Sequence, residues 1–146
     1  MTPRLVLDEQ LCFVLYGAGR AVTHAYREGL GRLGLTYPQF ITLLALWEED
    51  GPTVSELGTR LHLDSGTLSP LLKRLEAAGH IVRRRSTHDE RQVTVHLTPA
   101  GSALREQAGQ IQTEAYARLG LSAEEAVLLH KLSGRVCASV LSPETA

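Results

Sequence analysis

The chain has 146 residues, 43% of them hydrophobic and 21% charged, and its net charge at pH 7 is −1. This length predicts one domain, residues 1–146, with enough apolar side chains for a core. The sequence shows neither a signal-peptide pattern nor an apolar run of about 20 residues, which disfavours secreted and membrane-spanning classes. We therefore expect a cytoplasmic protein with no membrane partner.

The first predicted helix spans about residues 8–33 and has Asp8 as its N-cap. One side of it carries an apolar stripe, formed by Leu11, Leu15, Ala18 and Val22. The segment also contains four glycines, each of which costs up to about 1 kcal/mol relative to alanine in a helix. This helix is therefore expected to need packing against other elements or a partner chain.

Residues 36–97 read as three helices followed by a β-hairpin. Capping boxes start the first two helices, Thr36 with Gln39 and Thr53 with Glu56. Asp64 or Ser65 can cap the third helix, which should end at Gly79. Its apolar residues follow the helical i, i+3, i+4, i+7 spacing and are Leu68, Leu71, Leu72 and Leu75. The second and third helices together predict a helix-turn-helix.

The opposite face of the third helix carries small, hydroxylated or cationic side chains. These are Gly66, Thr67, Ser69, Pro70, Lys73 and Arg74. Such a face suits a helix that enters a DNA major groove, but it equally suits a face exposed to solvent. The helix alone does not decide between the two interpretations.

The predicted hairpin favours DNA binding. Its strands, residues 81–86 and 93–97, flank the polar sequence THDERQ. From Lys73 to His96, six cationic side chains accompany three carboxylates, a net charge of +3, which leaves −4 for the rest of the chain. A basic segment on a mildly acidic protein is typical of a phosphate-backbone binder. The pattern predicts a winged helix-turn-helix that binds double-stranded DNA.

Two further helices follow the hairpin, one over about residues 100–119 and the last one to about residue 141. Thr98 caps the first, with Pro99 at its opening position, and a capping box of Ser122 with Glu125 opens the last. These helices and the helix over 8–33 have no obvious place in a small monomeric core. We expect them to build a homodimer, which suits a pseudo-palindromic operator with half-sites about 34 Å apart or a multiple of that. The fold class is mainly α, with a small β-hairpin wing.

The two cysteines, Cys12 and Cys137, form no CxxC pair and cannot build a structural zinc site alone. They are either two buried thiols or a redox pair, and burial is the usual fate of a free cysteine. Cys12 shares a helix face with Tyr26, but the two lie about 21 Å apart along the axis. They could meet only across an antiparallel pair of helices in a dimer. The six histidines show no metal-binding spacing, so we expect neither a metal nor a cofactor.

Two motifs together resemble those of the MarR family of dimeric bacterial transcription regulators. They are DER at Asp89–Arg91 and LTPAG at Leu97–Gly101. Four further segments resemble the organic-hydroperoxide-resistance regulators (OhrR), a subgroup of that family. These are LCFVLY at Leu11–Tyr16, AYR at Ala25–Arg27, LGLTYPQF at Leu33–Phe40 and LDSGTLSPLLKRLE at Leu63–Glu76.

The resemblance implies a role for both cysteines. Cys12 would be the peroxide sensor, with Tyr26 and Tyr37 bonding to it across the dimer. Phe13 and Tyr16 would line an apolar pocket for an organic hydroperoxide, the expected inducer. Cys137 matches the resolving cysteine of two-cysteine members, which forms a disulfide with the sensor cysteine of the other subunit. One-cysteine members use small thiols instead.

DNA contacts are expected from two elements. On the third helix they are Ser65, Thr67, Ser69, Lys73 and Arg74. On the hairpin they are Arg84, Arg85 and Arg91, with Arg91 resembling the family's minor-groove arginine and Asp89 orienting it or a neighbouring arginine. Arg83, Arg84 and Arg85 should divide between phosphates and the helix surface, since alternate residues of a strand face opposite ways.

The leading hypothesis is a repressor that oxidation of Cys12 releases from its operator; repression itself is implied only by the resemblance. A second is a MarR-type repressor relieved by a phenolic or other non-oxidant ligand, with Cys12 incidental. A third is a thiol peroxidase in which Cys12 turns over. The DNA-binding wing argues against the third, so no enzyme is expected.

Overall fold

Six α-helices and one two-stranded hairpin make up the part of the chain that the computed structural model describes, residues 4–142. A 3-10 turn at Leu7–Glu9 precedes the following elements: α1 (Leu11–Arg32), α2 (Tyr37–Glu48), α3 (Val54–Leu61), α4 (Ser65–Ala77), β1 (Ile81–Arg85), β2 (Val93–Leu97), α5 (Pro99–Ala117) and α6 (Ala123–Leu141). Residues 1–3 and 143–146 of the predicted domain lie outside the described residues. The observed order is that of a winged helix-turn-helix between terminal helices, as predicted.

The helices begin where short polar side chains can accept hydrogen bonds from otherwise unpaired amides. All three predicted capping boxes are present with both of their hydrogen bonds, at Thr36, Thr53 and Ser122. Asp64 rather than Ser65 caps α4, because its Oδ1 accepts from the Thr67 amide at 2.8 Å. The chain leaves α4 through Gly79, whose φ of 82° is in the left-handed region.

Two predicted helix boundaries are wrong. Asp8 does not cap α1, since it lies inside the 3-10 turn and the helix begins three residues later, after Gln10. The Gln10 side chain instead donates to the carbonyls of Arg4 and Val6, both at 2.9 Å. At the other end, α5 stops at Ala117 rather than near Leu119, and the chain turns through Gly120 with a φ of 68°.

The core joins α1, α2 and α5 to the helix-turn-helix. The four leucines predicted to form the apolar stripe of α4 are all buried, and on the wing Ile81 and Val95 are buried with them. β1 and β2 pair antiparallel, in a register that places Ile81 opposite Leu97. An isolated bridge between Thr53 and Thr94 ties the wing to the start of α3. The reading head, which we define as residues 53–97, therefore forms one packed unit.

A tight junction holds α5 against the turn between α4 and β1. The Thr98 amide donates to the His80 carbonyl at 3.0 Å, and the Trp47 indole donates to the Gly101 carbonyl at 3.0 Å. A Cβ placed on Gly101 would lie only 2.0 Å from the His80 carbonyl oxygen, so this approach requires glycine. The junction links the terminal helices directly to the reading head.

The N-terminal segment and α6 leave a large apolar surface uncovered. No residue of α6 is buried in the described structure. Its exposed apolar side chains include Val127, Leu128, Leu129, Leu132, Val136, Val140 and Leu141, and those near the N-terminus include Leu5, Leu7, Leu11, Phe13 and Val14. None of the helices within residues 4–142 is both long and apolar enough to cross a lipid bilayer. Surfaces of this kind are typical of protein–protein interfaces.

Candidate redox site and nucleic-acid interface

Both cysteines are free and exposed in the single chain. Cys12 lies in the first turn of α1, and Cys137 lies near the C-terminal end of α6. Neither thiol is buried by its own chain, so a single chain does not provide the two buried thiols of the first interpretation. Both stand on the uncovered apolar surfaces described above.

Tyr26 and Tyr37, two residues of the predicted sensor pocket, lie together. Their ring centroids are 5.4 Å apart in an edge-on arrangement, and Phe40 packs at 5.3 Å from Tyr26 and 6.1 Å from Tyr37. Tyr26 is buried and Tyr37 is half-buried. Burial raises the pKa of both phenols, and the neighbouring Tyr116 raises both further. Both hydroxyls therefore stay protonated at neutral pH and can donate hydrogen bonds.

Tyr116 on α5 is a member of this cluster that the sequence did not indicate. It lies close enough to raise the pKa of both Tyr26 and Tyr37, and its own oxygen accepts from Gln112 Nε2 at 3.4 Å. The available signal was weak: Tyr116 flanks the stripe of Ala108, Ile111 and Ala115 that α5 buries. That spacing identifies the packed face but not the neighbour that a flanking phenol contacts.

The other two predicted pocket residues do not reach this cluster within one chain. Phe13 is 43% exposed and Tyr16 is 65% exposed, both near the start of α1. The guanidinium of Arg20 lies over the Tyr16 ring, 5.7 Å from its centroid. About 21 Å of helix separates Cys12 from Tyr26, so the thiol and the phenols do not meet within one chain.

The predicted DNA-contacting residues of α4 all lie on its exposed face. They are Ser65, Thr67, Ser69, Lys73 and Arg74. Ser65 and Ser69 also line a groove of about 800 Å³ between the helix-turn-helix and the hairpin, and Arg91 lines it from the hairpin side. The structure thus brings helix hydroxyls and a wing arginine to one concave surface.

The wing exposes the side chains of Arg84, Arg85 and Arg91. Asp89 shapes the tip, because its Oδ1 accepts from the backbone amide of Arg91 at 3.0 Å. Its carbonyl also accepts from the Gln92 amide at 3.0 Å. The contact of Asp89 is thus with the backbone that carries Arg91 rather than with an arginine side chain.

Arg83 is directed to the helix surface. Its backbone amide and guanidinium donate to the carboxylate of Glu76 on α4, at 2.8 and 3.1 Å. These hydrogen bonds, from the side chain first and then from the backbone, hold the pKa of Glu76 below its usual value. Arg84 and Arg85, the next two residues of β1, are exposed.

Metal-binding groups do not gather in the region described. Across residues 4–142, no three histidine, cysteine, aspartate or glutamate side chains lie close enough to hold an ion.

Comparisons with known proteins agree with this architecture. Residues 25–107 match the family model described as transcriptional regulator SarA/Rot. The organic hydroperoxide resistance transcriptional regulator of Bacillus subtilis is 50% identical over 105 residues, which are 72% of this chain and 71% of that protein. The regulator TtmR of Methylorubrum extorquens is 58% identical over 99 residues, 68% of this chain, but the match spans only about half of TtmR, 51%.

Comparison with solved structures also finds transcriptional regulators. Overoxidized AbfR bound to DNA has a TM-score of 0.77 and 34% identity, covering 92% of this chain and 95% of that chain. Other AbfR structures hold the reduced protein on DNA and a disulfide form. Apo MarR of E. coli has a TM-score of 0.73 and 29% identity, covering 87% and 96% of the two chains. These relatives are transcriptional regulators rather than enzymes. The chain belongs to the SarA/Rot/MarR-type family of winged-helix transcriptional regulators, in its OhrR-type subgroup.

Proposed function

We propose that the protein is a homodimeric repressor that binds a pseudo-palindromic operator and releases it when an organic hydroperoxide oxidises Cys12. The observation that carries the proposal is the pair of protonated phenols, Tyr26 and Tyr37, in a chain whose Cys12 thiol is left exposed. The identity with the B. subtilis regulator of organic hydroperoxide resistance supports it. Its proposed location is the cytoplasm, where operator DNA lies.

The sensor site is completed by two subunits. In an antiparallel crossing of two α1 helices, Cys12 of one chain reaches Tyr26 and Tyr37 of the other. The exposed Phe13 and Tyr16 then line an apolar pocket beside the thiol, which favours alkyl hydroperoxides over hydrogen peroxide. Two phenolic donors would stabilise the thiolate, the form of the thiol that attacks a peroxide, by hydrogen bonding.

The chemistry has two steps. The thiolate attacks a peroxide oxygen, a sulfur–oxygen bond forms as the oxygen–oxygen bond breaks, and the alkoxide takes a proton and leaves as the alcohol. Cys12 becomes a sulfenic acid and the hydroperoxide is reduced. The thiol of the partner subunit's Cys137 then attacks the sulfenic sulfur, and water leaves as the disulfide forms.

Disulfide formation provides a route to operator release. The bond requires Cα atoms within about 7 Å, so it constrains α6 against the partner's α1. Movement of the terminal helices passes to the reading head through the junction of Gly101 with His80. A rigid two-fold dimer binds two half-sites that lie a fixed distance apart. A change in the distance between its two reading heads then prevents both heads from binding their half-sites at once.

On DNA, Ser65, Thr67 and Ser69 are proposed to face base edges or the backbone in the major groove, with Lys73 and Arg74 beside them. Arg91 is proposed to enter the adjacent minor groove, and Arg84 and Arg85 to contact phosphates. Their exposure on one side of the reading head supports this assignment.

The direct test is fluorescence anisotropy with labelled promoter DNA, titrated with cumene hydroperoxide. We expect the wild type to release DNA, Cys12→Ser to retain it, and Cys137→Ser to need an added small thiol for release. Equal retention of DNA by wild type and Cys12→Ser throughout the titration would contradict the proposal.

A second candidate is a repressor relieved by a phenolic or other non-oxidant ligand. A cavity of about 280 Å³ between α2 and α5 favours it, since Phe40, Leu44 and Trp47 give apolar walls and Arg105 a cation. In this case Cys12→Ser would still release DNA when the ligand is added.

A further inference from the structure

We propose that Asp50 is a positioning residue for DNA binding, which holds the wing in the orientation from which its tip reaches the operator. The wing is the β1–β2 hairpin, and its tip is residues 86–92. The inference rests on the proposed function, in which Arg91 at the tip contacts DNA. Asp50 acts at the opposite end of the wing, through the backbone of β2, and does not itself contact DNA.

The chain between α2 and α3 runs along the edge of β2 that β1 leaves open. We define residues 50–53 as the edge segment. Within it, the Gly51 amide donates to the Val95 carbonyl at 3.0 Å, and the Val95 amide donates to the Pro52 carbonyl at 2.9 Å. The isolated bridge described above continues this pairing towards the tip. β2 is therefore held between β1 on one edge and the edge segment on the other.

Asp50 extends this edge with its side chain. Residues two apart in a strand direct their amides to the same edge, so the Leu97 amide faces the edge segment, as the Val95 amide does. At Leu97 the acceptor is a carboxylate, because Asp50 Oδ1 accepts from its amide at 2.8 Å. Hydrogen bonds to an ionised acceptor are stronger than those to a neutral carbonyl. Asp50 thus fixes the last residue of β2, just before the chain enters α5.

The position of the tip depends on contacts at the base of the wing, since a two-stranded hairpin alone is at best marginally stable. On the β1 side, Arg83 bonds to Glu76 of α4. On the β2 side, Asp50 provides the side-chain contact. The tip projects past the last strand pair, and its Arg91 is exposed. Operator affinity falls with the fraction of molecules whose wing is in the binding position, so a loosened base weakens binding.

The test measures operator binding by the reduced full-length protein, with labelled promoter DNA at several salt concentrations. Asp50→Ala should weaken binding about three- to tenfold, the effect of one hydrogen bond. Asp50→Asn keeps an acceptor oxygen and should restore most of the affinity. Amide hydrogen exchange at Leu97 should be faster in Asp50→Ala, which reports the lost hydrogen bond without DNA.

Glu49→Ala is the matched control, because it removes the neighbouring exposed carboxylate and so changes the net charge equally. Removing a carboxylate reduces repulsion from the phosphates, so this variant should bind DNA as tightly as the wild type or slightly more tightly. A double-mutant cycle with Arg91→Ala then tests whether Asp50 acts through the tip. Asp50→Ala should cost less affinity when Arg91 is already absent, whereas a merely structural role would give the same loss in both backgrounds.

Arg91→Ala also separates this inference from the proposed function. If Arg91→Ala weakens binding but Asp50→Ala binds as tightly as Glu49→Ala, the role of Asp50 is overturned and the DNA contact of the wing stands. Equal losses in the two backgrounds of the cycle would overturn it too. If Arg91→Ala changes neither the affinity nor its salt dependence, the proposed DNA contact is wrong and the inference fails with it.

Discussion

A methyl group at position 101 has no space in this fold. The Cβ of an alanine there would lie 2.0 Å from the His80 carbonyl oxygen and 3.0 Å from its carbon, both backbone atoms that cannot rotate aside. The Gly101→Ala variant must therefore separate α5 from the turn after α4. That displacement also strains the hydrogen bond of 3.0 Å from the Trp47 indole to the Gly101 carbonyl.

The expected cost follows from these contacts. Overpacking against rigid surroundings costs about 1–3 kcal/mol, and a weakened hydrogen bond adds about 1 kcal/mol. The higher helix propensity of alanine returns at most about 1 kcal/mol. We expect a net loss of about 1–4 kcal/mol in the free energy of unfolding. For a chain of this size that lowers the melting temperature by about 2–16 °C.

Thermal and urea unfolding at fixed protomer concentration measure this loss. Gly109→Ala is the control, since it lies on the same helix with nothing within 4 Å of the added carbon. It should be neutral or stabilising by up to about 1 kcal/mol. The steric reasoning would be refuted if Gly101→Ala melted within 1–2 °C of the wild type, or if both variants lost equal stability.

Three other predictions concern the reading head. Asp64→Ala removes the cap on the Thr67 amide and should cost about 0.5–2 kcal/mol in urea unfolding; Asp64→Asn, which keeps an acceptor, should cost less. Arg91→Ala should weaken operator binding and reduce the slope of log K against log salt concentration by about one. An unchanged slope would contradict a contact of Arg91 with the DNA. The hydrogen bonds from Arg83 lower the pKa of Glu76, so their stabilisation is present above its usual value of 4.5 and is lost as pH falls through the lower, folded-state value. Glu76→Gln should therefore flatten the fall in melting temperature between about pH 5 and 3, and an identical fall in both proteins would contradict this.

Local patterns predicted most of the fold because local interactions decide it. The capping boxes at Thr36, Thr53 and Ser122 each satisfy two amides with side chains three residues apart. The start of α1 shows the limit of such patterns. Asp8 has the right side chain for an N-cap, but the chain there folds into a 3-10 turn and Gln10 bonds back to it. When two local arrangements of the chain have similar energies, the residue types alone do not show which one forms.

The candidate site was less predictable, because its contacts join distant parts of the chain. Tyr26 and Tyr37 were identified through motif resemblance, and their ring centroids lie 5.4 Å apart. Tyr116 was missed because it is 90 residues from Tyr26, and only the packing of α5 on α1 brings the two together. The ion pair of Arg83 with Glu76 likewise depends on how β1 crosses the end of α4.

The absence of buried residues in α6 determines which part of the molecule a disulfide would disturb. In a single chain, a helix that buries no side chain has little local stability, and it opens at a small fraction of the free energy needed for global unfolding. Cys137 lies on this helix, whereas the leucine core of α4 lies elsewhere. A disulfide through Cys137 would therefore require only local opening of α6, and the core would stay folded. If the proposed disulfide forms, the oxidised protein would keep its folded core, and a thiol reductant could restore the reduced form without refolding.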